Sequence, residues 1–150
     1  MPKTISECYT HIVFSTKNRR PVIEPSIQKS LYSYIAGICS NQKCHLITIG
    51  GIQDHIHLLC QISNTSSVSS LVKHVKVNST LWLKSKGSEY RAFQWQRGYA
   101  SFSVSKKDLK KLTTYIENQQ AHHAKVTFQT EYLRFLQEYS VDYVEPYIWD

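Results

Sequence analysis

The segment Asp54-His55-Ile56-His57-Leu58-Leu59-Cys60 sets two histidines one residue apart inside an apolar, β-like run. In a strand alternate side chains share a face, so His55 and His57 point one way while Ile56 and Leu58 point the other. A neutral imidazole is a good ligand for a divalent cation, and a pair on one rigid strand loses little chain entropy on binding it. Further along, Tyr115, Gln119 and His122 recur at helical spacing. At about 100° per residue they fall in a narrow arc beside the apolar stripe of Leu109, Leu112 and Ile116. If that arc faces the histidines, the Gln119 carbonyl oxygen completes a three-ligand metal site with positions open for substrate oxygens. Tyr115, one turn away, is then placed to attack a phosphorus whose oxygens the metal holds.

The chemistry asks for this combination. A phenol with a pKa of about 10 is a weak nucleophile at neutral pH, and a nearby cation favours phenolate and offsets charge in the transition state. Tyrosine attack on a phosphodiester gives a phosphotyrosine ester and frees a hydroxyl; one phosphoester replaces another, so the break can be resealed without ATP. Blander readings stand beside this one. Paired histidines also occur on the open face of a sheet, a helix-surface glutamine is ordinarily solvated, and most of the ten tyrosines must be structural. For His122 and His123 a solvated helix end or a contact with the helix C-terminal dipole competes with phosphate binding.

Four strands and four helices must position these groups. Tyr9-Thr10-His11-Ile12-Val13-Phe14-Ser15-Thr16 is β-branched and aromatic and runs into the basic loop Lys17-Asn18-Arg19-Arg20-Pro21, which reads as a strand leaving into a loop. Glu24-Pro25-Ser26 opens a first helix with Ile27, Leu31, Ile35 and Ile38 on one face. A second strand, 44–49, is punctuated by Gly50-Gly51, and the histidine strand follows over 54–62 as its antiparallel partner. Val68, Leu71, Val72 and Val75 mark the second helix. Residues 93–104 predict a fourth strand, whose large side chains switch from odd to even positions beside Gly98, as at a β-bulge. A third helix opens at Ser105 with Asp108 in capping-box spacing and carries the segment as far as His123; a fourth spans 128–139 with Phe128, Tyr132, Phe135, Leu136 and Tyr139 on one side. The order β-α-β-β-α-β followed by two helices predicts an α+β, ferredoxin-like antiparallel sheet with helices on one face and the other face free.

A chain of 150 residues with 41% hydrophobic content is most simply one domain over 1–150, able to bury a core without disulfides. Lys+Arg total 18 against 11 Asp+Glu, a net charge of +7 that points to a polyanionic partner such as nucleic acid. Arg19, Arg20, Lys73, Lys76, Arg97, Lys107 and Lys111, with His122, are the candidate DNA contacts, although such residues also make up an ordinary solvated surface. Cys8, Cys39, Cys44 and Cys60 form no C-x-x-C pair and read as reduced core residues. No apolar block of signal type follows Met1-Pro2-Lys3, and no segment approaches the roughly 18 apolar residues of a membrane span, so the expected address is cytoplasmic.

Three segments also carry a resemblance. Asp54-His55-Ile56-His57-Leu58-Leu59 resembles the HUH motif. Tyr115-Ile116-Glu117-Asn118-Gln119 is similar to the tyrosine helix of the single-tyrosine HUH transposases, the transposase A family of small prokaryotic insertion sequences. The run Trp95-Gln96-Arg97-Gly98-Tyr99-Ala100-Ser101-Phe102-Ser103-Val104-Ser105 is similar to the strand before that helix. The resemblance implies a metal-dependent transposase acting on single-stranded DNA, with His55, His57 and Gln119 as ligands of Mg2+ or Mn2+. It makes Tyr115 the nucleophile, which becomes joined to a DNA 5′ phosphate and leaves a free 3′ hydroxyl. It further implies a homodimer whose sheets join edge to edge, and hairpins near the ends of the element as the DNA partner. Rival readings are an HUH replication or relaxase nuclease, and a non-catalytic RNA- or single-strand-binding module of the same topology, which would expose aromatics on its central strands.

Overall fold

The computed structural model describes residues 3–145 and 147–149. Strand β1 (Cys8–Ser15) is followed by helix α1 (Pro25–Asn41), the hairpin β2 (His45–Ile52) and β3 (His55–Ile62), helix α2 (Val68–Lys84) and strand β4 (Ala100–Val104). The chain then forms α3 (Leu109–Glu117), α4 (Gln119–His123) and α5 (Phe128–Glu138). The sheet order is β2-β3-β1-β4 with every pair antiparallel, the ferredoxin-like arrangement expected from the element order.

Alternation along the strands gives the sheet two different faces. Ile12, Phe14, Ile56, Leu58 and Cys60 point to one side and meet Leu31, Ile35 and Ile38 of α1 and Leu71, Val72 and Val75 of α2 in the main core. Pro25 sits in the first turn of α1, and Ser67 caps α2 by accepting from the Ser70 amide at 3.1 Å. All four cysteines are free, and three of them are buried. On the second face lie His11, His55, His57 and Phe102. That face is not free, as the sequence reading had it. Helix α5 covers part of it, packing Leu136 and Phe135 against Ala100 and Phe102, so His55 and His57 are wholly buried.

Three local expectations are corrected. Gly50 and Gly51 do not end the second strand but lie inside β2, and the hairpin turns at Gln53-Asp54. The reason is steric. Gly50 pairs with His57 in β3, and a Cβ on Gly50 would lie 2.2 Å from the carbonyl oxygen of Ile116, so α3 crosses β2 at backbone contact distance. The fourth strand begins at Ala100 instead of residue 93 because Gly98 takes a positive φ of 76° and turns the chain there, leaving Trp95 with a single bridge to Thr16. Lys76 of α2 holds that irregular loop by donating to the carbonyls of Gln96, at 2.8 Å, and Gly98. Finally, the third helix is not continuous to His123. Asn118, at φ −98° and ψ 22°, breaks it into α3 and α4.

Gly50→Ala is expected to push α3 off β2 and lower stability by about 1–3 kcal/mol, the usual cost of overpacking a closed contact. A thermal melt of this variant indistinguishable from that of the parent would show that the close approach is not needed.

Candidate metal and tyrosine site

The strand register fixes the imidazoles first. On β3 His55 turns its Nδ1 to Asp54 Oδ1 at 2.7 Å, and on the same face His57 Nδ1 lies 2.8 Å from His11 Nε2 of β1. Each histidine therefore has one nitrogen anchored and its Nε2 aimed at a common point, the arrangement by which metal-binding histidines are held in one tautomer and orientation. Helices α3 and α4 bring Tyr115 and Gln119 to that point, and Gln119 Oε1 accepts from His55 Nε2 at 3.0 Å. Tyr115, Gln119, His55 and His57 thus share one side of the sheet within a single chain.

Helix α5 supplies a residue that the sequence reading missed. Glu131 is 1% exposed, and its carboxylate lies among imidazoles: Oε1 is 3.0 Å from His57 Nε2 and 3.4 Å from His55 Nε2. Its other oxygen, Oε2, is 3.2 Å from His122 Nε2 and 3.3 Å from His123 Nε2, and it also accepts from Gln119 Nε2 at 3.3 Å and from the Tyr115 hydroxyl. The signal was present in the sequence. Glu131 occupies the i+3 position from Phe128 and i−4 from Phe135, so a carboxylate stands within an otherwise apolar stripe. His11, read only as a strand residue, and His123, given no transferable role, also join the cluster.

The electrostatics follow from burial. Desolvation pushes the imidazole pKa of His11 down to about 3 and that of His57 to about 4, so both are neutral near pH 7. Burial opposes the charged form of His55 as well, but hydrogen bonds and charge from Asp54 and Glu131 outweigh it and raise His55 to about 8. Burial alone would raise Glu131, yet the imidazoles of His123, His55 and His57 gathered around it hold it well below the usual carboxylate range. The Tyr115 phenol is pushed above its ordinary range by burial and by Glu131, so in this environment it stays protonated.

The donor set suits a divalent cation. One ligand atom each from His55, His57, His123 and Glu131 lies within 4.8 Å of the others, and the Gln119 oxygen adjoins His55. Neighbouring ligand atoms 3.0–3.4 Å apart match the edge of a coordination shell with bonds of about 2.1 Å, which is about 3.0 Å in an octahedron. His123 Nε2, although buried, makes no hydrogen bond. The proton that His55 holds on Nε2 occupies the position of a ligand lone pair and must leave when a metal binds.

The candidate DNA contacts are dispersed. Lys107 and Lys111 are exposed near the start of α3, and Arg20 and Arg97 are exposed in loops. Lys73 is exposed on α2, over the face of the sheet opposite the histidines. Arg19 lies with its guanidinium 5.1 Å from the ring centre of Trp149, while the Lys76 ammonium is engaged with two carbonyls and the Phe14 ring. Its burial lowers the Lys76 pKa to about 8. His122 alone of this group stands at the cluster, 3.2 Å from the Tyr115 hydroxyl. The central strands present buried histidines where a base-stacking module would expose aromatic rings.

A ferredoxin-like sheet carrying a histidine-rich candidate metal centre beside a helix-borne tyrosine defines the class. The model for the family described as IS200-like transposases matches residues 4–119, and the chain belongs to that family. It is 31% identical over 117 residues to the transposase for insertion sequence element IS200 of Salmonella typhimurium, covering 75% of this chain and 76% of the relative. The same element's transposase from Salmonella typhi matches equally. Among solved structures, a protein described as a transposase from Deinococcus radiodurans R1 superposes with a TM-score of 0.62 at 23% identity, over 79% of this chain and 98% of the other. A REP-associated tyrosine transposase bound to a REP hairpin does so with a TM-score of 0.62 at 16% identity, over 84% and 74% of the two chains. Glu131 and α5 lie beyond the family-matched residues. Among the described residues no helix is long and apolar enough to cross a membrane.

Two outcomes are expected in calorimetric Mn2+ titrations. His11→Ala leaves His57 without its orienting partner and weakens binding by roughly tenfold to a hundredfold with the far-ultraviolet dichroism unchanged. Affinity also rises as the pH is raised from about 6.5 toward about 8, because the proton competing at His55 is then lost; a flat profile would contradict a protonated His55.

Proposed function

We propose that this chain is a metal-dependent single-stranded DNA transposase, cleaving and rejoining DNA at insertion-sequence ends through a 5′-phosphotyrosine intermediate. The observation that carries the reading is the position of Tyr115, whose hydroxyl bonds to Glu131 at the rim of the His55, His57, Gln119 and His123 cluster. His55, His57 and Gln119 hold the cation, with Mn2+ better suited than Mg2+ to an imidazole-rich set that also carries oxygen donors. When bound, the cation neutralises charge on the substrate phosphate and favours the phenolate form of Tyr115.

The protein's own groups do the rest. Burial keeps bulk water from the phenol's neighbours, and His122 and Glu131 stand within reach to take the phenolic proton. The tyrosine oxygen forms a bond to a 5′ phosphorus as the bond from that phosphorus to the 3′ oxygen breaks, and the proton taken from the phenol by His122 passes to the 3′ oxygen, which leaves as a hydroxyl. Reversal with a different 3′ hydroxyl joins new ends. Exposed Arg20, Arg97, Lys107 and Lys111, together with Arg19 and Lys73, bind the phosphate backbone, so affinity falls steeply with salt. The chain works as one domain over residues 1–150, as a cytoplasmic homodimer on hairpin-bearing single strands. The family and a structural relative described as bound to a REP hairpin support this choice of DNA partner.

Incubation with Mn2+ and a single strand from the element's end is expected to give a protein–DNA adduct that survives denaturing electrophoresis. Tyr115→Phe abolishes the adduct and leaves DNA binding in place. An adduct persisting in that variant would remove Tyr115 from the nucleophile's role.

A further inference from the structure

Helix α5 lies outside the family-matched residues 4–119, yet it places a carboxylate at the centre of the site. We propose that Glu131 is a ligand of the metal through Oε1 and the positioning residue of Tyr115 through Oε2, so that one side chain ties the nucleophile to the cation. The proposal rests on the transposase reading for the role of Tyr115, but not for the metal ligation.

Four observations converge on it. Glu131 Oε1 lies 3.0 Å from His57 Nε2 and 3.4 Å from His55 Nε2, spacings that place it in one coordination shell with the imidazole pair. The same carboxylate receives the Tyr115 hydroxyl on its other oxygen, and a carboxylate can use one oxygen for a metal and the other for a hydrogen bond. The side chain is 1% exposed, and every ion pair recorded for it among the described residues is to a histidine and none to Lys or Arg. A buried carboxylate in that position is compensated by imidazole protons when no cation is bound, and by the cation when one is. Last, His123 Nε2 is buried without a hydrogen bond only 3.3 Å from Glu131 Oε2, a donor atom left over by the protein's own contacts.

A purely structural Glu131 would do no more than hold α5 on the sheet. The alternatives separate in the full-length protein. Wild type, Glu131→Gln, Glu131→Ala and Tyr115→Phe are titrated with Mn2+, followed by calorimetry and by loss of the free-ion electron paramagnetic resonance signal, with a thermal melt recorded without metal. Glu131→Gln keeps the size and shape of the side chain while turning one acceptor oxygen into an amide donor, so it guards against a failure of the alanine variant to fold. The expected result is at least tenfold weaker Mn2+ binding in Glu131→Gln, a metal-free melt no lower than that of wild type, and binding within twofold of wild type in Tyr115→Phe. In single-turnover cleavage, Glu131→Gln lowers the rate at saturating Mn2+ at least tenfold while leaving the Kd for DNA unchanged. Wild-type Mn2+ affinity in Glu131→Gln overturns the ligand role, and a wild-type cleavage rate at saturating metal overturns the positioning role. Wild-type protein that binds Mn2+ but forms no adduct with element-end DNA refutes the transposase reading and with it the positioning of a nucleophile, whereas the metal titration still decides ligation.

Discussion

A carboxylate placed beneath a helix and shut off from water costs several kcal/mol unless its oxygens are answered by donors or by a cation. In this protein that constraint falls on Glu131. The apolar anchors of α5, chiefly Phe128 and Leu136, each contribute about 2 kcal/mol by burial, a gain of the same order as the cost of one unanswered carboxylate. Docking of α5 therefore depends on the imidazoles as much as on the aromatic residues. His57 on β3, Gln119 and His122 on α4, and Tyr115 on α3 all approach the two oxygens of one side chain. The polar cluster is at once the candidate metal centre and the condition on which α5 closes.

The rest of the molecule can be seen as the means of bringing those donors together. Two-residue alternation on β1 and β3 sends aliphatic groups to the helices α1 and α2 and imidazoles to the other side. The missing side chain at Gly50 lets the Ile116 carbonyl rest on β2, which sets the height of α3 above the sheet and hence of Tyr115 above His57, with their rings 6.1 Å apart. Asp54 and His11 then take the outward nitrogens of His55 and His57, leaving the inward ones for the centre. Each device is local and simple, and the site needs all of them.

Much of this was legible in the sequence because it is periodic. The alternation around His55 and His57, the helical spacing of Tyr115 and Gln119, and the apolar stripes of α1 and α2 are patterns that burial imposes on a chain. What was not legible depends on contacts between distant segments. Nothing near Gly50 announces that a helix 66 positions later will lie on it, so a glycine pair read as punctuation where it is a packing surface. Asn118 interrupts a pattern that by spacing alone runs on to His123. The odd-to-even switch beside Gly98 was visible, but a bulge and a chain turn produce the same switch, and the positive φ of Gly98 decides for the turn. Glu131 could have been noticed as an acidic residue among aromatics, though its partners could not have been named.

The span of these contacts bears on the order in which the protein comes into being. His57 and Glu131 are separated by 74 positions, and His55 and Gln119 by 64. Contacts of such long reach lag behind local ones, since the intervening chain must first be ordered. Strands β1 to β3 end at Ile62, well ahead of α5 at Phe128, so most of the sheet can form before the helix that covers the histidines is available. Until α5 docks, the paired imidazoles lack both Glu131 and the cover that buries them, so the cluster is completed last.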